Sequence, residues 1–123
     1  MSKITTKVQL LEAYRTGQRY FEDIELETNE NLTDAVLSGA VFKHCWLNVD
    51  FTRADLTNCQ FVECSLKTAD FRYANLANAT IEGCTVESTR FSHAIIDGFV
   101  FAKNSVYGQN AEQKDFDTFH YFT

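Results

Sequence analysis

A large apolar residue returns at every fifth position from Phe51 to Val106: Phe51, Leu56, Phe61, Leu66, Phe71, Leu76, Ile81, Val86, Phe91, Ile96, Phe101 and Val106. Five is the period of neither regular element, since helices repeat at about 3.6 residues and strands at 2. A five-residue piece is too short to bury anything alone. It must form one side of a coil, and the coils must stack. One slip between Leu47 and Phe51 joins this run to Leu32, Leu37, Phe42 and Leu47. Phe21 and Leu26 extend it backwards, with a slip the other way across Thr28 to Asn31.

Two residues before each centre the chain is usually small, as at Ala35, Ala40, Cys45, Ala54, Cys59, Cys64, Ala69, Ala74, Ala79, Cys84 and Ala94. The residue between is often Asp or Asn, as at Asp55, Asp70 and Asn75. The units ADLTN (54–58), ADFRY (69–73) and ANLAN (74–78) resemble the pentapeptide-repeat family, whose motif is A(D/N)LXX, and the resemblance covers roughly residues 32–108. It implies an all-β solenoid, a right-handed quadrilateral β-helix with one pentapeptide per side and four per coil. Stacked backbones lie about 4.8 Å apart, which leaves room for one large and one small inward side chain per side. Four units per coil place four inner ladders: Leu32, Phe51, Phe71, Phe91; Leu37, Leu56, Leu76, Ile96; Phe42, Phe61, Ile81, Phe101; and Leu47, Leu66, Val86, Val106. The expected rod has about four coils and a length of ~20 Å.

The 123 residues fit one domain, with a helical cap over 6–16, repeats over about 21–108 and a C-terminal segment over 109–123. Thr6 to Gln9 reads as a capping box, followed by Val8, Leu11 and Tyr14 on one face and Gly17 as a stop. This short helix is expected to cover the first coil. Phe116, Phe119, Tyr121 and Phe122 crowd the other end. Aromatics at that density leave water, either as a C-terminal cap or as a homodimer interface. Both readings stand, with the chain a monomer in the first case. The opening MSKITTKVQLLEAY has no long apolar run. It reads as neither signal peptide nor membrane span, so no membrane association and a cytoplasmic location are expected.

The four cysteines all fall in the small inward slot, where they are expected as buried free thiols standing in for alanine. His44 and His93 fall at coil corners and are expected exposed, and His120 lies in the tail. There is no Gly-rich phosphate loop, no HExxH and no GxSxG. The reading is therefore of no enzyme, no cofactor and no metal site, with function carried by the outward residues.

Two outward features depart from the pattern. Glu22, Asp23, Glu25, Glu27, Glu30 and Asp34 form an acidic run without a base, while eleven acids face eleven bases elsewhere. The whole net charge of −6 therefore lies at the join between helix and first full coil. The position before a centre points outward, and here it is Val36, Val41 and Trp46, then Ile95 and Val100. The terminal caps are expected to fold over Ile95 and Val100, and Trp46, the only tryptophan, is a candidate partner contact. The resemblance implies possible DNA mimicry, since the family is best known for members that resemble duplex DNA and bind type II topoisomerases such as gyrase. Such mimicry needs acidity along the whole rod, whereas the middle coils carry Arg53, Lys67, Arg72 and Arg90. A local patch fits better: an immunity-type or inhibitor protein that binds a protein partner such as a toxin, without direct nucleic-acid contact. DNA mimicry of a topoisomerase ranks second and a structural scaffold third.

Overall fold

The computed structural model describes residues 4–27 and 30–119. In chain order the elements are helix α1 (Lys7–Arg15), strands β1 (Tyr20–Glu22), β2 (Val41–Lys43), β3 (Gln60–Val62), β4 (Thr80–Glu82), β5 (Val100–Ala102), β6 (Asn104–Val106) and β7 (Gln109–Ala111), and helix α2 (Gln113–Phe119). Strands β1 to β5 pair in parallel in sequence order, which is one face of a solenoid. Single parallel bridges build the other three: Asn31, Asp50, Asp70, Arg90; Val36, Asp55, Asn75, Ile95; and Glu25, Trp46, Ser65, Thr85, Ser105. The four inner ladders read from the period are therefore the ladders of the fold. Both slips are present. Tyr20 pairs with Val41, 21 residues on, and Val41 with Gln60, 19 residues on, before the step settles at 20 with Gln60 to Thr80.

The centres fill the core. Phe42, Leu47, Phe51, Leu56, Phe61, Leu66, Phe71, Leu76 and Ile81 are fully enclosed. Each contributes roughly 1.5–3 kcal/mol of transfer free energy before ordering entropy is subtracted. Phe51 and Phe71 stack at 5.0 Å between ring centroids, and Phe71 and Phe91 at 5.3 Å. Phe42 and Phe61 stack at 5.3 Å on the opposite face. The two stacks meet edge to face, Phe61 against Phe71 at 5.7 Å and 76°.

The corners explain the Asp or Asn before each centre. Its side chain accepts the amide two residues on, as in Asp50 from Thr52 (2.8 Å), Asp70 from Arg72 (3.0 Å) and Asn75 from Ala77 (3.0 Å). This Asx turn supports a left-handed residue at the corner, where φ is 58° at Arg53, 61° at Tyr73 and 59° at Asn78. The next small residue then closes the turn by donating its amide to the centre's carbonyl, as Ala54 does to Phe51 (2.9 Å).

Among the described residues the corner after the β1–β5 face carries no such turn bond. Side chains replace it. Cys45 donates to the Phe21 carbonyl (3.4 Å), Cys64 to Phe42 (3.2 Å), Cys84 to Phe61 (3.2 Å) and Asn104 to Ile81 (3.0 Å). Asn104 also accepts from the Cys84 amide at 2.8 Å. All four cysteines are buried and free, as the repeat implies, but they do more than replace alanine. Burial pushes Cys59 up to about 12, so at neutral pH it stays a protonated donor. Cys64→Ala should cost about 0.5–1.5 kcal/mol, the net worth of the lost thiol hydrogen bond to the Phe42 carbonyl, and Cys64→Ser should recover part of it in urea denaturation. Equal stability of all three proteins would show that the thiol only fills space.

Both ends are covered. Helix α1 starts at the Thr6 capping box with Gln9. Its buried residue is Leu10, whereas Val8, expected on the inner face, is 75% exposed. The correction follows from how the helix sits: it is tied down through its N-terminus and Tyr14. The Lys7 amide donates to Glu30, the Glu27 amide to the Thr5 carbonyl, and the Tyr14 hydroxyl to the Ser38 carbonyl (2.7 Å). At the other end β6 and β7 form an antiparallel hairpin whose two-residue turn, Tyr107-Gly108, has φ of 51° and 80°. Helix α2 follows and lays Phe116 against Phe91, Phe99 and Phe101 at 5.0–5.1 Å. Phe99, large in a small slot, is accommodated because Phe116 packs on it from beyond the last coil. Phe119 packs against Phe116 and Phe101, while Tyr121 and Phe122 lie outside the described residues. No helix among the described residues is long and apolar enough to cross a membrane.

Candidate partner-binding surface

A continuous run of acids in sequence becomes a belt when the chain turns a corner every five residues. Glu22 lies on the β1–β5 face, Asp23 at the next corner and Glu25 on the following face, bridged to Trp46. Glu30 and Asp34 lie farther round, and Val36 heads the face opposite Trp46. Val41 stands on the β1–β5 face, above Tyr20. The candidate residues therefore divide into two groups on opposite sides of the rod.

The two groups also differ in how their carboxylates are partnered. Asp34 pairs with Arg53, which donates to both of its oxygens at 3.0 and 3.3 Å. Glu30 accepts from the Lys7 amide at 2.6 Å. Glu22, Asp23, Glu25 and Glu27 are exposed, and none of them meets a lysine or arginine among the described residues. Glu25 is bridged to Trp46, which is 58% exposed, while Glu22 and Asp23 lie on the preceding face and corner and Glu27 follows Leu26 toward Glu30. Tyr20, also half exposed, belongs to this side and was missed in the sequence reading. The signal was present, because Tyr20 precedes the centre Phe21 as Trp46 precedes Leu47.

Ile95 and Val100 are 47% and 46% exposed. The expectation that a cap folds over them fails, because β7 and α2 close the open end of the coil rather than its flank. On the same flank Tyr73 and His93 stack at 4.9 Å, both at exposed corners. The slip between Leu47 and Phe51 opens a polar groove of about 320 Å³ lined by Asn31, Asn48, Val49, Asp50, Thr68 and Asp70. Burial raises the Asp70 carboxyl, but the hydrogen bonds and charge of Arg72 outweigh this and hold it below the usual carboxylate range.

Solved structures share this architecture. The pentapeptide-repeat protein Rfr23 from the cyanobacterium Cyanothece 51142 matches with TM-score 0.65 and 21% identity over 72% of this chain, which spans 60% of that one. The pentapeptide-repeat protein alr5209 from Nostoc Pcc 7120 matches with TM-score 0.52 and 24% identity, covering 98% of this chain and 97% of that one. QnrB1, a plasmid-mediated fluoroquinolone resistance protein, matches with TM-score 0.50 and 19% identity over 72% of this chain and 63% of its own. No curated protein matches the chain. The family model for pentapeptide repeats matches residues 50–87 in eight copies. With its four bridged faces and a core centre at every fifth residue, this chain is a β-solenoid with the fold of solved pentapeptide-repeat proteins, and its residues 50–87 match the pentapeptide-repeat model.

Proposed function

We propose that this protein is a non-catalytic binding module, of immunity or inhibitor type, that docks a basic protein partner through its Trp46 side. The observation that carries the reading is the pairing of an exposed, unique tryptophan with four carboxylates that lack lysine or arginine partners among the described residues. A half-exposed Trp supplies contact area at low entropic cost. Carboxylates without lysine or arginine partners on this side speed association with a basic surface and select against acidic ones. Glu30, Asp34 and Val36 contribute to stability and solubility rather than to docking.

The test compares three proteins as bait in lysate of the source organism: wild type, Trp46→Ala with Glu25→Gln and Glu27→Gln, and Val36→Ala with Asp34→Asn on the opposite side. One basic protein should be retained by wild type and by the opposite-side variant, and lost by the Trp46 variant, with an affinity loss of at least 2 kcal/mol expected for a hot-spot tryptophan, as a rough figure. Retention that survives the Trp46 variant defeats this reading. If the retained protein is then a type II topoisomerase subunit, DNA mimicry takes its place.

A further inference from the structure

We propose that Glu22, Asp23 and His44 form a surface site for a divalent first-row transition ion of the Zn²⁺ class. One ligand atom from each lies within 4.8 Å of the other two. The fold brings them there. Asp23 and His44 are corner residues of successive coils, both held left-handed at φ 58° and 54°, so their side chains leave the rod one above the other. Glu22 and Lys43 are register partners in β1 and β2, which places Glu22 beside the same corner.

The imidazole distinguishes this set from a plain acidic patch. His44 Nδ1 lies 3.7 Å from a Glu22 oxygen, too far for a hydrogen bond. That span is close to the roughly 3.4 Å separating two ligands on one tetrahedral ion with bonds of about 2.1 Å. The other nitrogen, Nε2, faces Glu63 at 3.4 Å. With the ion on Nδ1, Glu63 lies within reach of Nε2 and would complete a carboxylate–histidine–metal arrangement after a small side-chain adjustment. Nitrogen with two carboxylate oxygens suits a borderline ion such as Zn²⁺, whereas Ca²⁺ prefers a larger set of oxygens and Mg²⁺ an all-oxygen octahedron completed by water. Water completes the shell, since all three residues are exposed. The buried thiols do not compete, being enclosed in the core.

The experiment is isothermal titration calorimetry of the full chain with ZnCl₂, repeated with MgCl₂. Wild type should bind one Zn²⁺ saturably and Mg²⁺ at least about a hundredfold more weakly. His44→Asn keeps a residue that tolerates the left-handed corner and should weaken Zn²⁺ at least about tenfold, as should Glu22→Gln. Glu63→Gln, a positioning residue, should weaken it about tenfold by the outer-shell rule. His93→Ala, on another corner, should leave it unchanged. Circular dichroism confirms that each variant is folded. Zn²⁺ binding that survives His44→Asn, is lost in His93→Ala, or fails to saturate in the wild type would overturn the site. Glu22 and Asp23 belong to both readings, but loss of Zn²⁺ binding in His44→Asn leaves partner capture through Trp46 a separate result, because His44 takes no part in the docking surface.

Discussion

Phe71→Asp is expected to leave the chain without a folded state. Phe71 is fully enclosed, stacked between Phe51 and Phe91 and in edge contact with Phe61. Losing the ring costs about 3–5 kcal/mol. Placing a carboxylate mid-stack adds several kcal/mol more, since no lysine, arginine or histidine is buried among the described residues. Against a total stability of roughly 5–15 kcal/mol, the two together are decisive. In a solenoid the damage also spreads, because each coil is stable only through its neighbours. Far-ultraviolet circular dichroism and gel filtration check it. A soluble variant with the wild-type spectrum would contradict the four-ladder core.

Phe116→Ala is the second large effect. Phe116 is the single fully enclosed residue of α2, with Phe91, Phe99, Phe101 and Phe119 around it. Truncation should cost about 3–5 kcal/mol. It should also undock α2 and open the end of the last coil, whose strand edges and aromatics then promote association. A lower urea midpoint together with oligomers in light scattering is expected. An unchanged midpoint would mean that α2 is not a cap.

The core was legible because one residue in five carries it. With period, small slot and slips known, the register of all four faces follows without reference to any side-chain detail. What was not legible depends on how the chain leaves a regular coil. Cys45, Cys64 and Cys84 read as small and apolar because sequence shows volume, not whether a given corner closes its own turn bond. Val8 and Leu10 both lie near an apolar helix face, and which one is buried depends on how α1 docks on the first coil. The hairpin at Tyr107-Gly108 was hidden by Val106, a valid centre that also ends strand β6. Sequence proximity misled most at the acidic run, since thirteen residues pass nearly three corners and separate Glu25 from Asp34 across the rod.

The functional reading depends on Trp46 being open to water in the free protein, and this chain has no other tryptophan to obscure the signal. Fluorescence of the free protein, with acrylamide quenching, measures it directly. The structure predicts emission near that of tryptophan in water and quenching close to that of an exposed indole, both suppressed when the captured partner is added. Blue-shifted emission that acrylamide cannot reach would contradict it: Trp46 would then be covered within the chain itself, and the docking surface would lie elsewhere on the rod.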